Sequence, residues 1–220
     1  MLSKKLLQLK GNLIREAKLA ENMVEKSING LVNKDENILK EVIDKDEPLM
    51  NRMEIELDEL CTNLIALYQP RAVELRTILM ILKMNNDLER IGDLAVNISE
   101  SSLFLIKRPP VKPLIDIPRM AQEAIEMLNS AITSFVEDDP KRAKSICKRD
   151  AFVDSLRDQI LRELITFMSS DPSTIERSIH LLRISRNLER VADLATNIAE
   201  DVIFAVKGEI IKHHVREDKK

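Results

Sequence analysis

The amino-acid sequence predicts an all-α fold: two tandem antiparallel three-helix bundles, with six long helices related by a pseudo-twofold duplication. The chain of 220 residues contains 4 glycines and 3% aromatic residues, whereas Leu, Ile, Ala, Glu and Lys are abundant, a composition typical of long helices. Apolar residues recur at steps of three and four along most of the chain, which is the helical period. The segment 86–107 is repeated at 186–207, which indicates a duplication.

The first two helices follow from periodicity and capping. Residues 6–34 carry one apolar stripe and are predicted to form an amphipathic helix. Asp35 is a suitable N-cap for a second helix over residues 35–68. Pro48 lies inside this second helix, so we expect a kink or a short break near Asp46.

The third helix and the connector complete the first half. Pro70 is predicted to lie in the first turn of a helix over residues 69–107. A proline-rich connector follows at 109–118, so the domains are predicted as a first repeat at 1–108 and a second repeat at 119–210. Residues 211–220 form a charged tail.

The second repeat shows the same order of features. A shift of about 104 residues superimposes Asp139 on Asp35 and Asp150 on Asp46, while the third helices align at a shift of about 100. We therefore expect the second repeat to be a few residues shorter, most simply at the turn between its second and third helices. Asp139-Pro140 and Asp171-Pro172 each predict an N-cap followed by a proline in the first turn.

Charge and hydropathy exclude several classes of protein. The net charge of −3 gives no support to a nucleic-acid partner. The apolar runs are too short for a signal peptide or a transmembrane helix. Cys61 and Cys147 occupy non-matching positions in the two repeats and have no motif spacing, so they are interpreted as reduced thiols. The sequence predicts a soluble, cytoplasmic protein.

The repeated segment carries an acidic stripe. Both copies read Glu-Arg-x-x-Asp-Leu-Ala-x-Asn-Ile-x-Glu, which places four polar residues within about 80° of one helix face. These residues are Glu89, Asp93, Asn97 and Glu100 in the first copy, and Glu189, Asp193, Asn197 and Glu200 in the second. The stripe continues an apolar face, so it is expected to point towards a neighbouring helix, where like charges need protons or cations.

The second repeat offers a candidate metal site. Asp150 and Asp154 are one helical turn apart, and counting from the turn at Asp171 places them level with Glu189 and Asp193 on the antiparallel neighbour. Four carboxylates on two facing helices favour a hard cation. In the first repeat, Asp46 matches half of this pair and is predicted to meet Glu89 and Asp93 in a looser site.

Two alternatives remain open at this stage. In the first, the chain is a structural helical scaffold whose acids form ion pairs between helices and bind no metal. In the second, it is a redox enzyme of the di-iron kind, against which the missing Glu-x-x-His argues, because Gly92 and Ala192 occupy the histidine position. His180, His213 and His214 lie off the stripe, and no nucleophile or phosphate-loop motif is present, so the chain is predicted not to be an enzyme.

The duplicated motif and the segment at 64–70, LIALYQP, resemble the PhoU family of phosphate-signalling proteins. The resemblance covers nearly the whole chain. It implies a cytoplasmic, dimeric negative regulator that links the ATPase subunit of a phosphate-specific ABC transporter to a sensor histidine kinase, and that meets the membrane through these partners.

The resemblance also implies multinuclear metal clusters at acidic motifs. Iron is the expected metal, with zinc, manganese, magnesium or calcium as alternatives. The implied ligands in this sequence are Asp46, Glu89, Asp93, Asp150, Asp154, Glu189 and Asp193. Asn97, Glu100, Asn197 and Glu200 are candidate outer ligands, and hydrogen bonding between helices is their alternative role.

Overall fold

Residues 2–208 are described by a computed structural model of the chain and are almost entirely helical, with no strand among them. The predicted tail at 211–220 lies outside this range. The helices are α1 (Leu2–Asn33), α2 (Glu36–Glu41), α3 (Glu47–Tyr68), α4 (Ala72–Ile106), α5 (Asp116–Val136), α6 (Pro140–Ile146), α7 (Asp150–Ser170) and α8 (Ile175–Lys207). None of the helices in this range is both long enough and apolar enough to cross a bilayer.

The N-caps predicted from sequence are confirmed. An Asp35 carboxylate oxygen accepts hydrogen bonds from Asn37 N at 2.9 Å and Ile38 N at 3.2 Å. Asp139 caps α6 in the same way. These bonds satisfy amide groups that the first helical turn leaves unpaired.

The second helix of the first repeat is irregular where Pro48 predicts it to be, but it does not break. Residues Val42–Asp46 form a π-helical turn that joins α2 to α3 without interruption, and Glu47 N donates to Val42 O across this wider turn. A π turn accommodates an extra residue while the helix continues, so the expected break becomes a change of helical phase.

Two details of the turns differ from the sequence prediction. Pro70 precedes α4 instead of lying in its first turn, because Gln69 adopts φ 45 and Arg71 is the extended residue before the helix. In the second repeat the helix predicted after Asp139 is interrupted at residues 147–149, where Arg149 N donates to Ile146 O at 2.8 Å. That repeat therefore contains α6 and α7 instead of one helix.

The two halves share one hydrophobic core. Helix α1 packs on α4 and α5, and α8 packs on the same two helices, so α1, α4, α8 and α5 form a closed four-helix ring. Helix α3 lies outside this ring against α1 and α4, and α7 lies outside it against α5 and α8. The all-α prediction is confirmed, and the two bundles are fused through their first and third helices.

Candidate metal sites between the helices

The acidic stripes lie on α4 and α8 where these helices face α3 and α7. Glu89 and Glu189 are half-buried, while Asp93 and Asp193 are exposed. Burial raises the pKa of all four carboxyls, and neighbouring carboxylates raise it further. The prediction that the stripes point towards a neighbouring helix is consistent with this placement.

In the second repeat, α7 places one acid and one base against the stripe. The charge of Asp154 raises the pKa of both Glu189 and Asp193, after burial, so Asp154 lies near the stripe. Arg157, one turn further along α7, forms an ion pair with Glu189 and a second one of 2.8 Å with Asp158. We call Asp150, Asp154, Glu189 and Asp193 the second acidic site. The positively charged side chain of Arg157 lies against this site.

Asp150 lies at the other end of this site, at the first residue of α7. Its charge acts on Cys147, whose thiol pKa is raised by burial and then by Glu200 and Asp150. The predicted grouping of four carboxyls is therefore spread along α7, with Asp154 next to the stripe and Asp150 towards the interruption at residues 147–149.

In the first repeat the prediction for Asp46 needs correction. Asp46 is 8% exposed and faces α1, where Lys26 Nζ donates to its carboxylate at 2.9 Å and to Glu41 at 2.7 Å. The neighbouring Glu47 faces the stripe instead, since its charge raises the pKa of both Glu89 and Asp93 after burial.

The physical reason is a difference of one residue between the repeats. The buried positions Met50, Leu57 and Cys61 of α3 correspond to Val153, Ile160 and Leu164 of α7, an alignment one residue shorter than the alignment of Asp35 with Asp139. The π turn at Val42–Asp46 contains the extra residue. One residue rotates a helix by about 100°, so Glu47 and not Asp46 takes the place of Asp150.

This alignment defines the first acidic site as Glu47, Asn51, Glu89 and Asp93. Glu47 Oε1 accepts a hydrogen bond of 2.7 Å from Asn51 Nδ2. The position of Arg157 is taken by Glu54, whose charge raises the pKa of Glu89 further. The sequence predicts the weaker site in the first repeat, yet among the described residues no arginine of α3 forms an ion pair with Glu89 or Asp93.

The first repeat also contains a buried acid, Glu16, which the sequence analysis did not identify as a candidate site residue. Glu16 on α1 is 1% exposed, and neither of its carboxylate oxygens has a hydrogen-bond partner in the described chain. Burial raises its pKa to about 8, with Glu54, Asp58 and Glu89 contributing. The signal was available, because Glu16 interrupts the apolar stripe of α1.

The candidate outer ligands lie further along α4 and α8 than Asp93 and Asp193. Asn97 and Glu100 are exposed. Asn197 and Glu200 line a cleft of about 460 Å³ between α4 and α8, together with Asp87, whose pKa is raised to about 6 by burial and then by Asp201. Asp87, Asn197 and Glu200 therefore lie at the contact between the two halves.

The donor chemistry of the first acidic site fits a hard cation, since its three carboxylates and one amide are oxygen ligands on adjacent helices. In the second acidic site, Arg157 competes for Glu189. Among residues 2–208, no three His, Cys, Asp or Glu side chains are close enough together to hold one metal ion. Binding at either site therefore requires side chains to rotate towards each other.

The fold and the sites define a class: a duplicated all-helical protein with acidic clusters between its outer and central helices. A family model for the PhoU domain matches this chain twice, at residues 13–102 and 117–202. The chain belongs to the PhoU family.

Relatives and solved structures agree with this assignment. The chain is 39% identical to a phosphate-specific transport system accessory protein PhoU homolog of Aquifex aeolicus, over 98% of each chain. It is 33% identical to PhoU homolog 2 of Thermotoga maritima, over 96% of this chain and 90% of that one. The crystal structure of PhoU from Pseudomonas aeruginosa superimposes with a TM-score of 0.91 at 31% identity, covering 95% of this chain and 100% of that chain.

Proposed function

We infer that this chain regulates phosphate uptake as an adaptor and negative regulator. Its proposed partners are the ATPase subunit of a phosphate-specific ABC transporter and a membrane sensor histidine kinase. The observation that supports this function most strongly is the double PhoU match together with a relative aligned over 98% of both chains, whose name describes an accessory protein of phosphate transport. In this proposal the protein works in the cytoplasm as a homodimer and catalyses no reaction.

The proposal includes metal binding at the acidic sites. Glu47, Glu89 and Asp93 would supply carboxylate oxygens to a hard cation and Asn51 an amide oxygen. The pKa values of Glu89 and Asp93 are raised by burial first and then by neighbouring carboxylates, and a cation would offset both effects. A bound cation would take the role that Arg157 has beside Glu189 in the second acidic site. Iron is the first candidate, followed by zinc, manganese, magnesium and calcium.

A second candidate function is favoured by two ion pairs, one in each half. Arg157 forms an ion pair with Glu189, and Lys26 does the same for Asp46. These contacts support a structural scaffold in which the acidic stripes pair with bases across helices and bind no metal. The two candidate functions differ in the expected effect of a chelator. A scaffold that binds no metal should keep its stability and association state when a chelator is added.

The regulatory function is tested in the source organism. Deleting the gene should switch on a phosphate-starvation reporter in phosphate-rich medium, and the wild-type gene should restore repression. Affinity purification from the same cells should recover the transporter ATPase. If the reporter stays silent after deletion, the chain is not a negative regulator of this response.

The metal part has its own test. Elemental analysis of the native protein, before and after chelation, should find tightly bound metal, and sedimentation should report the association state in both samples. Loss of the metal in a double variant, Glu89→Gln with Asp93→Asn, would place it at the first acidic site. A native protein without stoichiometric metal contradicts metal binding and supports the scaffold.

A further inference from the structure

Glu16 is an acid in a place where acids are rarely found. It lies on α1 between the buried residues Leu13 and Ala17, is 1% exposed, and has two carboxylate oxygens without a hydrogen-bond partner in residues 2–208. Burying a polar group without a partner is costly, and native interiors nearly always satisfy such groups. A ligand that supplies positive charge would account for it.

The groups around Glu16 are oxygen ligands from two other helices. Glu54 and Asp58 on α3 are close enough for their charges to act on Glu16. Asn85 on α4 is fully buried, and its Nδ2 donates to Asp58 Oδ1 at 2.8 Å and to Glu54 O at 3.0 Å. Among the described residues, the Asn85 Oδ1 atom has no hydrogen-bond partner. Within the described chain, no lysine or arginine forms an ion pair with these three acids.

We propose that Glu16, Glu54, Asp58 and the Oδ1 atom of Asn85 form an interior site for a hard divalent cation of the Mg²⁺, Mn²⁺ or Ca²⁺ class. Carboxylate and amide oxygens are the ligands that these cations prefer. In the described chain these acids are not close enough together to hold an ion, so binding turns the half-buried Glu54 and Asp58 inwards to meet Glu16.

The nearby thiol agrees with a hard cation. Cys61 is fully buried next to this group, and burial, followed by the charges of Asp58 and Glu16, raises its pKa to about 12. The thiol therefore stays protonated, whereas soft metals are held by thiolates. This interior site shares no residue with the first acidic site, so it goes beyond the proposed function.

The second repeat provides a built-in control. Its equivalent positions hold Met120 for Glu16, Arg157 for Glu54, Leu161 for Asp58 and Ser185 for Asn85. Met120 is fully buried, which shows that this position of the fold accepts methionine. These four positions of the second repeat offer no carboxylate to a cation, and each of these residues is a natural replacement for testing the first half.

The test titrates Mn²⁺ into the full-length, EDTA-treated protein at pH 8. Bound Mn²⁺ is counted by electron paramagnetic resonance, and the melting temperature is followed in parallel. Wild type should bind an interior ion, with Tm rising by about 5 °C when Mn²⁺ exceeds its Kd about 100-fold. Glu16→Met and Asp58→Leu should each lose one Mn²⁺ per chain and most of that rise.

A third variant separates the interior site from the first acidic site. Glu47→Gln with Asp93→Asn should keep the interior ion and its effect on Tm. If Glu16→Met and Asp58→Leu bind as many ions as wild type, with the same rise in Tm, the interior site is wrong. If the Glu47/Asp93 variant alone loses all bound Mn²⁺, the ions belong to the first acidic site and the interior site is again overturned. If wild type binds no Mn²⁺, the interior site fails, and phosphate regulation is still judged by the reporter.

Discussion

The two repeats have the same helices in the same order, yet they treat charge in opposite ways. In the second repeat, Arg157 from the outer helix pairs with Glu189 of the stripe, and the position facing them from the first helix of that repeat is the apolar Met120. In the first repeat, Glu54 replaces the arginine and Glu16 replaces the methionine. In the second repeat an arginine pairs with the stripe, whereas in the first repeat further carboxyls surround the equivalent stripe residue, Glu89.

The difference shows that a shared fold does not impose a shared site. The helix positions are set by apolar residues that match between the repeats, such as Leu57 with Ile160, both fully or almost fully buried. The polar residues between them are under no such constraint, because a few substitutions on the same backbone change an ion-paired cluster into an unpaired one. Three sets of variants test how each half balances the charges of its acids.

The largest effect is expected from Glu16→Met, which makes the first repeat resemble the second. Burial raises the pKa of Glu16 to about 8 in the folded chain, whereas in the unfolded chain this carboxyl has its ordinary pKa of 4.5. The contribution of Glu16 to stability is therefore most favourable below pH 4.5 and is lost as pH rises to about 8. In EDTA the variant should be more stable than wild type at pH 8, by up to about 4 kcal/mol.

Urea denaturation at pH 5 and pH 8 measures this difference. The gain should shrink at pH 5, because wild-type Glu16 is then largely neutral. Glu25→Met is a control, since that acid also lies on α1 but is exposed, and it should give no comparable gain at pH 8. An equal gain at both pH values would contradict the assignment of the pH dependence to Glu16.

An intermediate effect is expected from Lys26→Met, which removes the base that pairs with Asp46 and Glu41. Asp46 is 8% exposed, and a largely buried carboxylate that loses its cation is destabilising. The free energy of unfolding should fall by about 2 kcal/mol, less than for a fully buried pair because Lys26 is partly exposed. Lys26→Arg should retain most of the stability, and an unchanged midpoint in Lys26→Met would show that the pair contributes nothing.

The smallest effect is expected from exchanging the outer-helix charges. Glu54→Arg should stabilise the first repeat by about 0.5–1 kcal/mol, because it replaces repulsion of Glu89 by attraction, and Arg157→Glu should cost the second repeat about the same. Both changes should shrink in 0.5 M salt, which screens partly exposed charges. Glu54→Gln is the neutral control, and equal signs for the two exchanges would break the comparison.

Local features of the fold could be predicted from the sequence, and the phase of one helix could not. The caps Asp35 and Asp139 depend on adjacent residues, so their spacing was sufficient. Pro48 located the irregular turn, but nothing in the sequence distinguishes a break from a π turn, and that choice decides whether Asp46 or Glu47 faces α4. A helix rotated by one residue keeps its apolar period while every polar contact changes.

For the candidate sites, sequence reasoning was most accurate for the positions of the acids along α4 and α8. Glu89, Asp93, Glu189 and Asp193 lie where the repeated motif predicts, because their helices are regular. The pairing of Arg157 with Glu189 was not predicted, because a long arginine side chain can reach several acids and the sequence does not show which one it meets. Glu16 was missed because an acid within an apolar stripe is easily assigned to the edge of that stripe.

The closed ring of α1, α4, α8 and α5 has a consequence for how such a molecule arises. A single three-helix unit would leave the faces of its first and third helices uncovered, so it requires a second copy against which to pack. Two identical subunits related by a twofold axis would satisfy that need, and every mutation would then appear in both. Joining the subunits through a linker such as residues 107–115 removes this symmetry: afterwards each change affects one side only, and one partner can become a specialised receptor while the other supports it.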